Sequence, residues 1–81
     1  MRVMYFAWLR ERIGASSEDV TTDAADVTAL VEELRAREPR YAAAFADMSA
    51  IRVALDQEEA TLDAPLSGVR EVAFFPPVTG G

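Results

Sequence analysis

At 81 residues, with a formal net charge of −6 and neither cysteine nor histidine, the chain has room for one core and lacks the side chains of several chemistries. The acidic balance argues against a nucleic-acid partner, which calls for a basic face. The missing Cys and His argue against a zinc site, a disulfide framework or a histidine-assisted nucleophile. Hydrophobic residues make up 51% of the chain, which suits a folded globule, although so short a chain buries only about 60% of its unfolded surface. Arg10, Glu11 and Arg12 interrupt the N-terminal apolar run, so it does not read as a signal peptide, and no stretch is long enough to span a bilayer. A cytoplasmic protein without a membrane partner is expected, and the acidity fits docking on a basic surface.

In chain order, Arg2 to Trp8 is β-branched and aromatic and predicts a strand, with Val3 and Tyr5 on one face and Met4 and Phe6 on the other. Both faces are apolar, more than a sheet with one wet side requires. Leu9 to Ile13 predicts a helical turn closed by Gly14, and Glu18 to Thr22 a second, polar strand completing a hairpin. Val27, Leu30, Val31 and Leu34 form one helical stripe behind Asp26 as N-cap, with Glu32, Glu33, Arg35 and Arg37 on the wet side. Pro39 ends that helix and opens another over Arg40 to Asp47, whose stripe is Tyr41, Ala44, Phe45 and Met48. Both stripes read as core packing.

Ile51 to Leu55 alternates, with Ile51, Val53 and Leu55 predicted inward. Asp56 to Glu59 predicts a polar turn, Ala60 to Leu62 a short edge strand, and Asp63 to Gly68 a second turn region. Glu71 to Phe75 predicts the last strand, with Val72 and Phe74 inward and Ala73 and Phe75 outward. A hairpin, a crossover helix and later strands imply an α+β arrangement, a mixed sheet packed against one helical layer. Its other face would carry Met4, Phe6, Ala54, Ala73 and Phe75, an apolar set that marks a partner-docking surface.

The chain then closes on Pro76-Pro77-Val78-Thr79-Gly80-Gly81. Two prolines offer no N–H and favour an extended rod, so the strand ladder must stop there. Gly80 and Gly81 lack Cβ and can thread a passage too narrow for other residues. Residues 1–75 thus read as a domain and 76–81 as a protruding stalk that holds a carboxylate roughly 20 Å away when fully extended.

Tyr5-Phe6-Ala7 with Arg10-Glu11 and Gly14, the turn residues Asp63, Pro65, Leu66 and Gly68, and the run from Glu71 to Gly81 resemble the small, sulfur-carrying subunits of molybdopterin synthase, of the ThiS/MoaD type. The resemblance covers the whole chain. Its closing motif is the specific part, because general ubiquitin-like tails lack Phe-Phe-Pro-Pro-Val. The sequence departs from the pattern at Asp56, where Asn is frequent, at Glu58-Glu59, where the turn is often more apolar, and at Arg70, in a usually acidic approach to the last strand.

The resemblance implies a ubiquitin-like β-grasp fold, with four or five strands packed against a main helix and an extended C-terminal tail. It also implies a sulfurtransferase component with no catalytic side chains of its own. An E1-like activating enzyme would use ATP to adenylate Gly81, and a sulfur donor protein would displace AMP to leave a thiocarboxylate. That sulfur would pass to a pterin precursor in the large subunit of a heterotetrameric molybdopterin synthase, during biosynthesis of the molybdenum cofactor. In this reading no cofactor or metal is bound directly. Gly81 carries the reacting group, Pro76, Pro77, Val78, Thr79 and Gly80 insert into the partner, and Phe6, Met4, Ala73 and Phe75 dock the body. Arg10 and Glu11 are expected to form a structural ion pair rather than a partner contact. Two alternatives stay open: a sulfur carrier for thiamine, cysteine or tRNA thiolation, and a ubiquitin-like protein modifier.

Overall fold

The computed structural model describes residues 1–77; Val78 to Gly81 lie outside the described residues. The elements follow in the order β1 (Arg2–Tyr5), α1 (Trp8–Ile13), β2 (Ser17–Asp19), α2 (Val27–Arg37), α3 (Pro39–Ala44), a 3₁₀ turn (Met48–Ala50), β3 (Arg52–Leu55), β4 (Glu58–Ala60) and β5 (Glu71–Phe75). One five-stranded sheet runs β2-β1-β5-β3-β4. β5 is parallel to β1 and antiparallel to β3, and β1–β2 and β3–β4 are antiparallel pairs. The two strands that meet at the centre are thus the first and last in the chain, which accounts for their apolar residues on both faces.

A single core lies between the sheet and the helices. Val3, Tyr5, Val53, Val72 and Phe74 supply its floor, and Leu9, Ile13, Val27, Leu30, Leu34, Tyr41 and Phe45 its roof. All three helices therefore cover the same side of the sheet. Phe74 anchors the packing, with its ring 5.0 Å from Phe45 edge-on and 6.3 Å from Tyr5 in a stack.

The start of α2 shows how the loops are tied to this core. Its first N–H groups have no partner within the helix. Val27 donates to the Ala64 carbonyl, Thr28 to the Leu62 carbonyl, and Ala29 to the Asp26 carboxylate at 2.8 Å. Leu66 N–H bonds back to Ala25. The turn region after β4 is thereby clamped onto the helix N-terminus, and Asp26 is the N-cap as expected. Gly14 closes α1 in the left-handed region at φ 88°, where an L side chain is strained.

Several predicted boundaries move. β1 ends at Tyr5 rather than Trp8, because the chain reverses at Ala7 and Trp8 opens α1. β2 is Ser17–Asp19, earlier than Glu18–Thr22: it pairs with β1 from Met4–Ser17 to Arg2–Asp19, and the last bond between them runs from Val20 N–H to the Met1 carbonyl. The second helix is Pro39–Ala44; Met48 falls in the 3₁₀ turn, whose N–H groups Asp47 caps. The turn after β3 is two residues, Asp56 and Gln57, both at positive φ (49° and 73°), so β4 starts at Glu58 rather than Ala60. Leu55 is half-buried, while Val53 is fully buried. The architecture is a ubiquitin-like β-grasp.

Candidate functional site

The face of the sheet opposite the helices is where the candidate docking residues gather. Strand register places Met4, Ala73 and Ala54 side by side across β1, β5 and β3. Phe75 stands opposite Arg52 one step further along. Phe6 follows β1 and continues its pairing, its N–H donating to the Phe74 carbonyl at 3.1 Å. Alternation from the buried Tyr5 turns Phe6 toward the same helix-free side. Phe6 is 43% exposed and is the one large exposed hydrophobic side chain among the described residues. Met4, Ala54 and Phe75 are half-buried.

Ala73 lies on this face, as its alternation with Val72 and Phe74 predicts. It faces away from the core but is only 9% exposed, because a methyl group in the middle strand has flanking strands on both sides. It contributes a flat floor rather than a contact knob. Charged residues rim the patch: Arg2 pairs in register with Glu71 at one end, and Arg52 forms a 2.6 Å ion pair with Glu59 at the other. An apolar centre inside a polar rim is the anatomy of a protein interface.

The chain leaves β5 from the middle of the sheet, not from an edge. β5 is flanked on both sides, and Pro76, which lacks an N–H, directly follows its last residue, Phe75. Pro76 and Pro77 are half-buried. The expectations for Val78, Thr79, Gly80 and Gly81 lie outside the described residues. Arg10 and Glu11 do not form the expected ion pair; both are exposed, and neither takes part in a salt bridge among the described residues. Neighbours in sequence on a helix point about 100° apart and do not face each other.

The strongest electrostatic cluster lies on the core side, and the sequence analysis missed it. Tyr5 and Tyr41 each donate a 2.7 Å hydrogen bond to the same Glu18 carboxylate, with Arg37 3.9 Å from that oxygen. Burial, then the Glu18 bond and charge, pushes the Tyr5 phenol far above its usual 10.0. Burial alone would raise Glu18, but the two phenol bonds together with Arg37 and Arg40 outweigh it and hold the carboxyl below its ordinary range. Both phenols stay protonated near neutrality and both donate to Glu18, so the cluster fastens β1 and α3 to β2. Two core-facing tyrosines, each needing a polar partner, were the available signal.

No group of three or more metal-ligating side chains converges among the described residues. A groove of about 420 Å³ lies between β2 and α2, lined by Asp19, Val20, Thr21, Glu33, Leu34 and Arg37. Its strand residues belong to the end of the sheet where β5 begins, opposite the end where the stalk departs.

A β-grasp body with an apolar sheet face that no described helix covers, and a Pro-Pro pair directly after its central strand, defines the class: a small ubiquitin-like protein. The chain matches the ThiS family over residues 3–81, and it belongs to that family. It is 40% identical to the molybdopterin synthase sulfur carrier subunit of Escherichia coli K12 over 81 residues, covering 100% of this chain and 99% of the relative. Identity to the protein of that name from Haemophilus influenzae is 35% over the same coverage. Among solved structures, the crystal structure of SAMP1 from Haloferax volcanii superposes with a TM-score of 0.78 at 29% identity, covering 100% of this chain and 98% of that one.

Proposed function

We propose that this chain is the sulfur-carrying small subunit of a molybdopterin synthase. The observation that carries the reading is the exit of the stalk. The central strand ends in a Pro-Pro stop beside an apolar face that no described helix covers, and the sequence beyond it ends in Gly80-Gly81. The full-length similarity to two sulfur carrier subunits supports sulfur as the cargo and a large synthase subunit as the partner. A carboxylate is a poor acylating group, because oxide leaves badly and its charge repels nucleophiles. Activation of Gly81 as an acyl-adenylate by an E1-like enzyme, with pyrophosphate leaving ATP, solves both problems. Sulfur delivered at the sulfide level then attacks the acyl carbon, AMP leaves with the electron pair of the C–O bond, and a thiocarboxylate remains, an anionic sulfur nucleophile that needs no cysteine.

In this account the large subunit supplies the pocket and the acid–base groups, and the small subunit supplies reach and aim. Pro76 to Gly80 enter the partner while Phe6, Met4 and Phe75 seat on it over the Ala73 floor. Removing Gly81 should abolish sulfur transfer to the pterin precursor in a reconstituted synthase while the melting curve stays unchanged. Normal product formation by the truncated chain would refute the reading. A second reading, a protein modifier joined through Gly81 to lysines, draws support from the similarity to SAMP1. Lysine-linked adducts in cells, with molybdoenzyme activity intact after gene deletion, would favour it instead.

A further inference from the structure

All eight basic side chains of the 81-residue sequence are arginines; it contains no lysine, although lysine is among the commonest residues of proteins. Local geometry asks for a guanidinium at only some of these positions. Arg40 uses its fork, with one nitrogen donating to the Ile13 carbonyl at 2.7 Å and the other to Glu38 at 3.1 Å. Arg10 and Arg70 are exposed, and their side chains take part in no hydrogen bond, ion pair or ring contact among the described residues. Lysine would carry the same charge there.

The other strong nucleophiles are missing or withdrawn. Cysteine and histidine are absent. The two tyrosines, Tyr5 and Tyr41, are buried, and both phenols are held protonated as donors to Glu18. Serine and threonine hydroxyls need a neighbouring base to become nucleophiles, and neither His nor Lys is there to serve. The Met1 amine is half-buried and donates to the Val20 carbonyl at 3.2 Å. It stands beside the start of β5, roughly 20 Å along the sheet from Pro76, which is the whole length of the extended stalk.

This inventory matters once the end group is activated. A free amine attacks the acyl carbon of an adenylate: the C–N bond forms, the C–O bond to phosphate breaks, AMP departs with the electron pair, and the nitrogen gives its extra proton to solvent. The product is a stable amide, and that carrier is lost. A lysine with a pKa near 10.4 gives up its proton about a hundredfold or more readily than a guanidinium at 12.5 or above. Arginine therefore keeps the charge and withholds the nucleophile.

We infer that the chain is built to be inert toward its own activated terminus: with no side-chain amine or thiol to capture it, the Gly81 adenylate is left to the sulfur donor, and one copy cannot be joined to another through a lysine. The inference rests on the proposed activation of Gly81. The length of the stalk makes such protection useful. Phe6 N–H bonds to the Phe74 carbonyl and α1 opens two residues later, so Arg10 lies at the end of the sheet from which the stalk departs, inside a reach of roughly 20 Å.

The test uses the full 81-residue chain and two charge-conserving variants, Arg10→Lys near the root of the stalk and Arg70→Lys at the opposite end of β5. Each is incubated with ATP and an E1-like activating enzyme, first without and then with a sulfur donor. Intact mass and fragmentation identify the products, and released pyrophosphate counts the activation events. The native chain should give no amide. The lysine variants should give Gly81–lysine amides, one water lighter than the chains or chain ends joined, at least about tenfold above the native background per pyrophosphate. Their thiocarboxylate yield should fall to match, and most for Arg10→Lys, which the stalk can reach within one chain. Variants that load sulfur as completely as the native chain and form no amide would overturn the inference, since the enzyme rather than the sequence would then shield the adenylate. Amide formation at Met1 of the native chain would overturn it as well. A native chain that releases no pyrophosphate would refute the proposed activation, and this inference with it.

Discussion

Phe74 and Phe75 are adjacent yet sit on opposite faces of β5, so truncating each should break a different thing. Phe74 is fully buried between the Phe45 and Tyr5 rings, and Phe74→Ala leaves a cavity costing about 3–5 kcal/mol. An 81-residue domain has roughly 4–12 kcal/mol in total, so this variant should lose much of its stability or fail to fold cooperatively. Phe75 is half-buried on the helix-free side, outside the core cluster, and Phe75→Ala should cost about 1 kcal/mol or less. At an interface, a central aromatic ring is worth about 2 kcal/mol or more, a loss of about thirtyfold in affinity. Urea denaturation of the isolated variants reads the first quantity, and calorimetric titration with the large subunit reads the second. If Phe75→Ala destabilised the fold as much as Phe74→Ala, the assignment of the two faces would be wrong. Unchanged affinity for Phe75→Ala would remove Phe75 from the docking surface.

Three further outcomes follow from the local geometry. Glu18 has its carboxyl lowered in the fold, so its contribution is complete above about pH 4.5, the ordinary value, and is lost as pH falls through the lowered one. Glu18→Gln should therefore flatten the acid limb of stability against pH, measured by urea midpoints between about pH 2 and 7. Gly14→Ala should cost about 1–2 kcal/mol from strain at φ 88° alone, since the added Cβ would meet the Arg40 guanidinium at an ordinary 3.5 Å; thermal melts check it. Gln57→Gly should raise stability by about 0.5–1 kcal/mol, because Gln57 sits at φ 73°, while Asp56 keeps its bonds to the Arg70 and Glu71 N–H groups.

What the sequence makes legible is what repeats. The stripe of α2 and its Asp26 cap are readable because helical period and capping chemistry are local. The opposite faces of Phe74 and Phe75 follow from strand alternation in the same way. The turn after β3 is legible as Asp56 to Glu59, but its two-residue form is hidden because the left-handed residues Asp56 and Gln57 are not Gly or Asn, and Asp56 accepts from N–H groups of Arg70 and Glu71 far along the chain. Ala7 is hidden for the same reason: nothing about an alanine announces a positive φ, and the hydrogen bonds that impose it come partly from β5. The shared acceptor role of Glu18 requires β2 and α3 to be brought together, which no local pattern encodes. Arg10-Glu11 shows the converse, since charges adjacent in sequence are not thereby paired in space.

The central claim is that the chain exists to carry sulfur on its last residue. Intact mass spectrometry after incubation with ATP, an E1-like activating enzyme and a sulfur donor tests it directly. The account predicts a mass gain equal to one oxygen replaced by sulfur, located by fragmentation on Gly81 and absent without ATP. A chain that stays a plain carboxylate under conditions where the same enzymes load a known sulfur carrier would contradict it.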